Sequence, residues 1–121
     1  MCTIGNISRV LAAALLACAL PAASGERLLT ESWDISIDVR CPEGVVGCKD
    51  VRYAGLHRKT GKSLKLAGEE LHTLCADKVT PCRFLGYVFR HGRQRYYVWE
   101  NGTLAIKQGD KLLLQEAGKW Q

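Results

Sequence analysis

The sequence lacks any apolar run long enough to cross a bilayer. Its longest, Val10–Leu20, falls well short of the ~20 residues that a transmembrane helix needs, which excludes a polytopic membrane protein. At 121 residues the chain is too short for several domains, and a 47% hydrophobic composition excludes a disordered chain. We therefore expect one small folded domain.

Motifs that carry enzymatic chemistry are also lacking. The three histidines, His57, His72 and His91, accompany no nucleophile motif, and neither Gly-x-Ser-x-Gly nor a glycine-rich phosphate loop occurs. Asp34 and Asp38 would lie ~13 Å apart on an extended strand, too far for paired-carboxylate glycoside hydrolysis. We expect a protein that is not an enzyme and that binds no metal or cofactor.

Acidic residues are lacking from residues 1–25, which have the layout of a secretory signal peptide. Arg9 precedes the apolar run Val10–Leu20, and Pro21 and small residues follow it. A buried core helix is the alternative. The pattern predicts cleavage between Ala23 and Gly25 and export, with the bacterial periplasm as the expected compartment.

A lipoprotein is an alternative fate for the same segment. Leu15-Leu16-Ala17-Cys18 resembles the lipobox in which the cysteine becomes the acylated first residue. Lipidation of Cys18 would make an outer-membrane lipoprotein, and only then do we expect contact with a membrane. Secretion beyond the cell is a further alternative.

Six cysteines are present, and Cys2 and Cys18 belong to the export segment. The other four form two equally spaced pairs with turn-forming residues inside each interval. This spacing predicts two local disulfides, as small exported domains commonly have. A zinc site is the alternative, which the lack of a Cys-x-x-Cys pair disfavours. The predicted pairs are Cys41–Cys48 and Cys75–Cys82.

Alternating hydrophobic residues predict a mainly β fold from residue 33 onwards, after a flexible lead-in at residues 26–32. Trp33–Val39 alternates cleanly, and residues 50–58 and 63–67 form a hairpin with a bulge or bend at Gly55. The spacing of apolar residues in Gly68–Cys75 favours a short helix, with a strand as the alternative. The fold would be α+β if that helix forms.

Three tight turns in the last third predict a four-stranded antiparallel meander. Its strands are expected at residues 84–90, 94–100, 103–108 and 111–115, and Asn101-Gly102 favours a type I′ turn. Trp120 is expected to cap an open end of the core. The whole domain, residues 33–121, is predicted to be an antiparallel sheet, a small barrel or a sandwich.

The net charge of +5 is concentrated in two basic clusters between residues 51 and 100. The first is Arg52, Arg58, Lys59, Lys62 and Lys65; the second is Arg83, Arg90, Arg93 and Arg95. Basic residues beside aromatic ones bind acidic surfaces, although such charges can also simply keep sheet edges from associating. The candidate binding residues are Arg58, Lys59, Lys62, Arg90, Arg93, Arg95, Tyr96 and Trp99.

The strand that contains Tyr96 and Tyr97 is apolar on both faces, because adjacent residues of a strand point in opposite directions. The second face is then either covered by the N-terminal strands or the short helix, or exposed to a partner.

In size, cysteine content and expected architecture the chain is similar to small exported bacterial β-proteins, a class that includes periplasmic inhibitors of lysozymes and other hydrolases. This similarity assigns no functional residue. We expect an exported, inhibitor-like binding module that contacts an envelope or exported protein through basic and aromatic turns. The alternative ligand is an anionic lipid, lipopolysaccharide or glycan; the export signal disfavours nucleic acid.

Overall fold

A computed structural model describes residues 25–121 of the chain. The predicted export segment and the lipidation of Cys18 lie outside the described residues. Within residues 25–121, no helix is present that is long and apolar enough to cross a membrane.

The described chain is organised as nine β-strands, and the prediction of a mainly β fold is confirmed. In chain order the strands are β1 (Gly25–Leu29), β2 (Trp33–Val39), β3 (Val51–His57), β4 (Ser63–Leu74), β5 (Pro81–His91), β6 (Gln94–Trp99), β7 (Thr103–Gln108), β8 (Lys111–Ala117) and β9 (Lys119–Trp120).

Each strand from β1 to β8 pairs antiparallel with its neighbour in sequence, so the predicted meander extends through most of the chain. Strand β9 pairs with β1 at the other end of the strand order. Only Gly118 separates β8 from β9, so this stretch of chain contacts β7 on one side and β1 on the other. The sheet is therefore nearly closed and barrel-like.

The core lies inside this sheet and is built by the alternation seen in the sequence. On β2, for example, Ile35 and Ile37 are buried while Ser36 is exposed. Tyr53 packs against the rings of Phe89 and Tyr96, at centroid distances of 5.1 and 5.7 Å. The largest fully buried side chains are Tyr53, Phe89, Leu28, Ile35, Ile37, Leu104, Val51, Val98 and Cys48.

The flexible lead-in predicted at residues 26–32 is in part a strand, and the prediction is wrong for residues 26–29. They belong to β1, in which Leu28 is fully buried opposite Ile35. The segment is too short for an alternating pattern to be visible in the sequence. It is a strand because β2 and β9 both pair with it.

The helix predicted for Gly68–Cys75 is also wrong, since residues 63–74 form the single long strand β4. The pairing of β4 with β5 shifts register between Leu71 and His72 and again between His72 and Leu74. Such irregularities change which residues share a face. They explain how apolar residues at a helix-like spacing can belong to a strand.

Two glycines differ from their predicted roles. Gly55 pairs regularly with Ile35 and Leu64, so it forms no bulge; instead, a Cβ there would lie 2.7 Å from the Tyr53 ring. Of the two turn residues Asn101 and Gly102, only Gly102 has a positive φ, at 93°. The turn is therefore not type I′, which requires a positive φ at both positions.

Both predicted disulfides are confirmed, Cys41–Cys48 and Cys75–Cys82. Because all four sulfurs are bonded in pairs, the zinc alternative is excluded. The two loops lie side by side: a Cβ on Gly47 would be 3.3 Å from the Pro81 ring. Two structural disulfides are consistent with an exported protein.

Candidate functional site

Three cations lie directly beside one another on the outer face of the sheet. Arg90 on β5 is opposite Arg95 on β6, and Arg95 is opposite Lys107 on β7. Side chains at paired positions have Cβ atoms ~5 Å apart. We call Arg90, Arg95 and Lys107 the basic row.

Like charges directly opposite each other destabilise a sheet, so we expect the basic row to be unfavourable for the isolated protein. The Arg95 guanidinium has two contacts that offset part of this cost, hydrogen bonds of 3.2 and 3.4 Å to the backbone oxygens of Gln94 and Gly92. In the described part of the chain the only ion pair of the row joins Arg90 to Glu69, with 3.8 Å between nitrogen and oxygen. Protection of a sheet edge does not explain the row, because β5, β6 and β7 each pair on both sides. The arrangement is suited to an anionic partner.

An aromatic pair, Tyr97 and Trp99, lies on the same outer face of β6. Its rings are stacked with their centroids 5.2 Å apart and their planes 8° from parallel. The ammonium group of Lys107 lies 5.9 Å from the centre of the Tyr97 ring, within cation–π range. Basic and aromatic groups therefore form one continuous patch.

No strand of the described chain packs over the aromatic pair. Tyr97 pairs laterally with Val88 and Ala105 within the sheet, and both rings of the pair remain partly exposed. Leu112, opposite Lys107, continues the patch with a side chain that is 48% exposed. Of the two alternatives for this face, coverage by N-terminal strands or a helix is not found in residues 25–121.

Of the predicted site residues, Tyr96 is misplaced. It points into the core, where it is 6% exposed and packs against Tyr53, and burial raises the pKa of its hydroxyl. Tyr97, its neighbour, is the tyrosine that faces outward. Arg90, Arg95 and Trp99 do lie on the outer face, and Arg93 is exposed in the turn between β5 and β6.

The turn residues Arg58, Lys59 and Lys62 lie apart from the basic row, between β3 and β4. The Arg58 guanidinium donates a 2.6 Å hydrogen bond to the backbone oxygen of Thr30, so it links two turns of the fold. Lys59 and Lys62 are exposed. The structure does not bring these three residues together with Arg90 and Arg95.

The carboxylates and histidines have structural contacts. Arg27 donates two hydrogen bonds of 2.7 and 2.8 Å to Asp34. These hydrogen bonds are the main reason why the pKa of the Asp34 carboxyl is lowered. His57 packs edge-on against Trp33 at 5.0 Å, and His72 lies 3.8 Å from Glu70. In residues 25–121 no group of three His, Cys, Asp or Glu side chains is arranged to hold a metal ion.

Glu116 is a carboxylate that several groups of one turn bind at once. It accepts hydrogen bonds from the hydroxyls of Thr30 and Ser32, at 2.8 and 2.5 Å, and from the Ser32 backbone. Burial opposes ionisation, yet these bonds together hold its pKa below the ordinary value. Its contacts attach β8 to the turn before β2 and so stabilise the fold at this point.

Lys107 and Tyr97 were missed as site residues. The signal for Lys107 is the alternation of Thr103, Ala105 and Lys107 along β7, combined with the pairing register that follows the turn at Gly102. Counting back through that turn places Lys107 opposite Arg95. The alternation of β6 alone does not distinguish the inner tyrosine from the outer one.

Comparison of the chain with protein-family models, with curated proteins and with solved structures found no match.

Proposed function

We propose that this protein is a small exported binding module, and that it binds an acidic surface of a partner protein through the basic row and the aromatic pair. The observation that supports this most directly is the like-charged row in the middle of the sheet. Like charges at paired positions, next to stacked aromatic rings over which no strand of residues 25–121 packs, are suited to a partner that supplies negative charge.

The composition of the patch favours a protein as the ligand. Arginine, tyrosine and tryptophan are the side chains that most often dominate the binding energy of protein interfaces. Here they project from paired strands, so little backbone entropy remains to be lost on binding. An inhibitor-like role fits a rigid module of this kind, and we place it in the bacterial periplasm.

The proposal is tested by affinity capture from a periplasmic extract, with the mature protein as bait. The wild-type protein is expected to capture one stoichiometric partner in a complex that survives moderate salt. Replacing Arg90, Arg95 and Lys107 together with alanine is expected to abolish this capture. The matched control removes the same charge elsewhere, through Lys59→Ala, Lys62→Ala and Lys119→Ala, and is expected to retain the partner. Equal capture by both triple variants would refute the assignment of the patch.

The same experiment addresses the alternative ligand, an anionic lipid, lipopolysaccharide or glycan. Binding only to anionic polymer, and its loss at moderate salt, would support that alternative and contradict a protein partner. Mass spectrometry of the mature N-terminus tests export: cleavage between Ala23 and Gly25 supports a freely soluble form, and an acylated Cys18 supports a lipoprotein.

A further inference from the structure

A groove of about 460 Å³ lies on the outer face of the sheet near the basic row, over β2, β3 and β4. Its volume falls within the range of ~300–1,000 Å³ that is usual for ligand sites. The small side chains of Ser36, Ala54 and Ala67 form its floor. Larger side chains at these three positions would fill it.

Basic side chains border this groove. Arg40, Arg52 and Lys65 line it together with one carboxylate, that of Asp38. Arg40 and Arg52 each use Nε for a 3.1 Å hydrogen bond to a nearby aspartate. An arginine carries five N–H donors, so a guanidinium that binds one carboxylate through Nε can bind a ligand through its other donors as well.

The groove is continuous with the basic row through a single small residue. Arg52 is paired with Ala67, and Ala67 is paired with Arg90. Ala67 also lines a second depression, of about 250 Å³, to which Arg90 contributes. Lys49 and Glu69 line the sides of this depression. A ligand that passes over the Ala67 methyl group from Arg52 reaches Arg90 beside the Glu69 carboxylate, with which it would share that guanidinium.

The length of this path is set by the spacing of strands. From β3 to β7 there are four inter-strand steps of ~4.8 Å, about 19 Å in all. An extended peptide advances ~3.3 Å per residue, so about six residues would cover that distance. Its carboxylates would face Arg52, Arg90, Arg95 and Lys107 in turn.

We infer that the ligand of this surface is an extended acidic peptide segment of about six residues, which crosses the strands from the groove at Arg52 to Lys107. The inference rests on the proposed function and adds to it the shape and length of what is bound. It assigns binding roles to Arg52 and Lys65 and a steric role to Ala67.

Capped oligoglutamate peptides of three, six and nine residues test the inference by fluorescence anisotropy with the mature protein. Two additional exposed charge contacts predict that the hexamer binds about five- to tenfold more tightly than the trimer. The nonamer should gain little more. Arg52→Ala combined with Lys65→Ala should reduce hexamer affinity to that of the trimer. Lys59→Ala combined with Lys119→Ala is the matched control, because it removes two charges away from the path.

Ala67→Phe provides a second, charge-neutral variant at an exposed strand position. It should remove the advantage of the hexamer while trimer binding is unchanged. The inference is overturned if Ala67→Phe and the Arg52/Lys65 variant both bind the hexamer as the wild-type protein does. The proposed function still stands in that case if the Arg90/Arg95/Lys107 variant has lost hexamer binding. If that triple variant also binds the hexamer normally, the inference and the proposed function both fail. A sulfated oligosaccharide of equal charge that binds tenfold more tightly than the hexamer would overturn the assignment to a peptide.

Discussion

Replacing Arg95 with glutamine should stabilise the folded protein, because Arg95 stands between two other cations. Its paired neighbours are Arg90 and Lys107. Cross-strand like charges destabilise a sheet, so the removal of the middle charge relieves two repulsions in one substitution. It sacrifices only two long hydrogen bonds, from the Arg95 guanidinium to the backbone oxygens of Gly92 and Gln94 at 3.4 and 3.2 Å. The prediction tests directly whether the basic row is maintained at a cost to stability.

The magnitude follows from the spacing of the row. Cβ atoms ~5 Å apart allow the charged groups of long side chains to separate to about 7 Å. At that distance in water each pair repels by about 0.6 kcal/mol before screening. At 0.01 M salt the Debye length is ~30 Å, so two pairs sum to about 1 kcal/mol; at 1 M it is ~3 Å and about 0.1 kcal/mol remains.

Thermal and urea unfolding at low and high salt measure this effect. For a domain of this size, 1 kcal/mol corresponds to a rise in Tm of about 4–8 °C. Arg93→Gln is the matched control, because it removes the same charge from the adjacent turn, outside the row. A variant Arg95→Gln that is no more stable than Arg93→Gln at low salt, or whose gain persists in 1 M salt, would refute the reasoning.

Three further substitutions test the fold. The Tyr53 hydroxyl is buried with no hydrogen-bond partner among the described residues, so Tyr53→Phe should raise the free energy of unfolding by about 1 kcal/mol in urea titration; a loss would contradict this. Gly68→Ala would place a Cβ 2.0 Å from the Val88 backbone oxygen and should cost about 3 kcal/mol in the same assay, whereas a neutral effect would show that the strands can separate there. The pKa of Glu116 lies below its ordinary value, so its stabilising contribution is complete above the ordinary carboxyl pKa and is lost as pH falls through the lower, folded-state value. Glu116→Gln should therefore flatten the acid side of the stability profile measured by urea unfolding, and an unchanged slope would count against it.

Much of the fold could be predicted because its signals are local. Alternation places Ile35 and Ile37 on one face of β2 whatever they pack against. The equal spacing of Cys41–Cys48 and Cys75–Cys82 identified both disulfides, since each closes its own turn. The meander could be predicted from its tight turns, because a turn of a few residues places consecutive strands side by side, where they pair antiparallel.

The errors in the fold arose where structure depends on distant partners. Residues 25–29 form a strand because β2 and β9 pair with them, and β9 lies at the opposite end of the domain. The spacing of Leu71, Leu74 and Cys75 matches a helix, but pairing with β5 across two register shifts makes this stretch a strand. Such long-range pairings override a weak local preference.

For the candidate site, the sequence alone predicts that the middle of the chain is basic and rich in aromatic residues, and that Tyr96 and Tyr97 point in opposite directions. That Tyr97 is the outer tyrosine follows from the fold, because curvature and near-closure of the sheet select which face becomes the core. The fold also places Arg52, Arg90, Arg95 and Lys107 along one path. Neighbours across strands are distant in sequence, and the registers of four successive strand pairs bring them together.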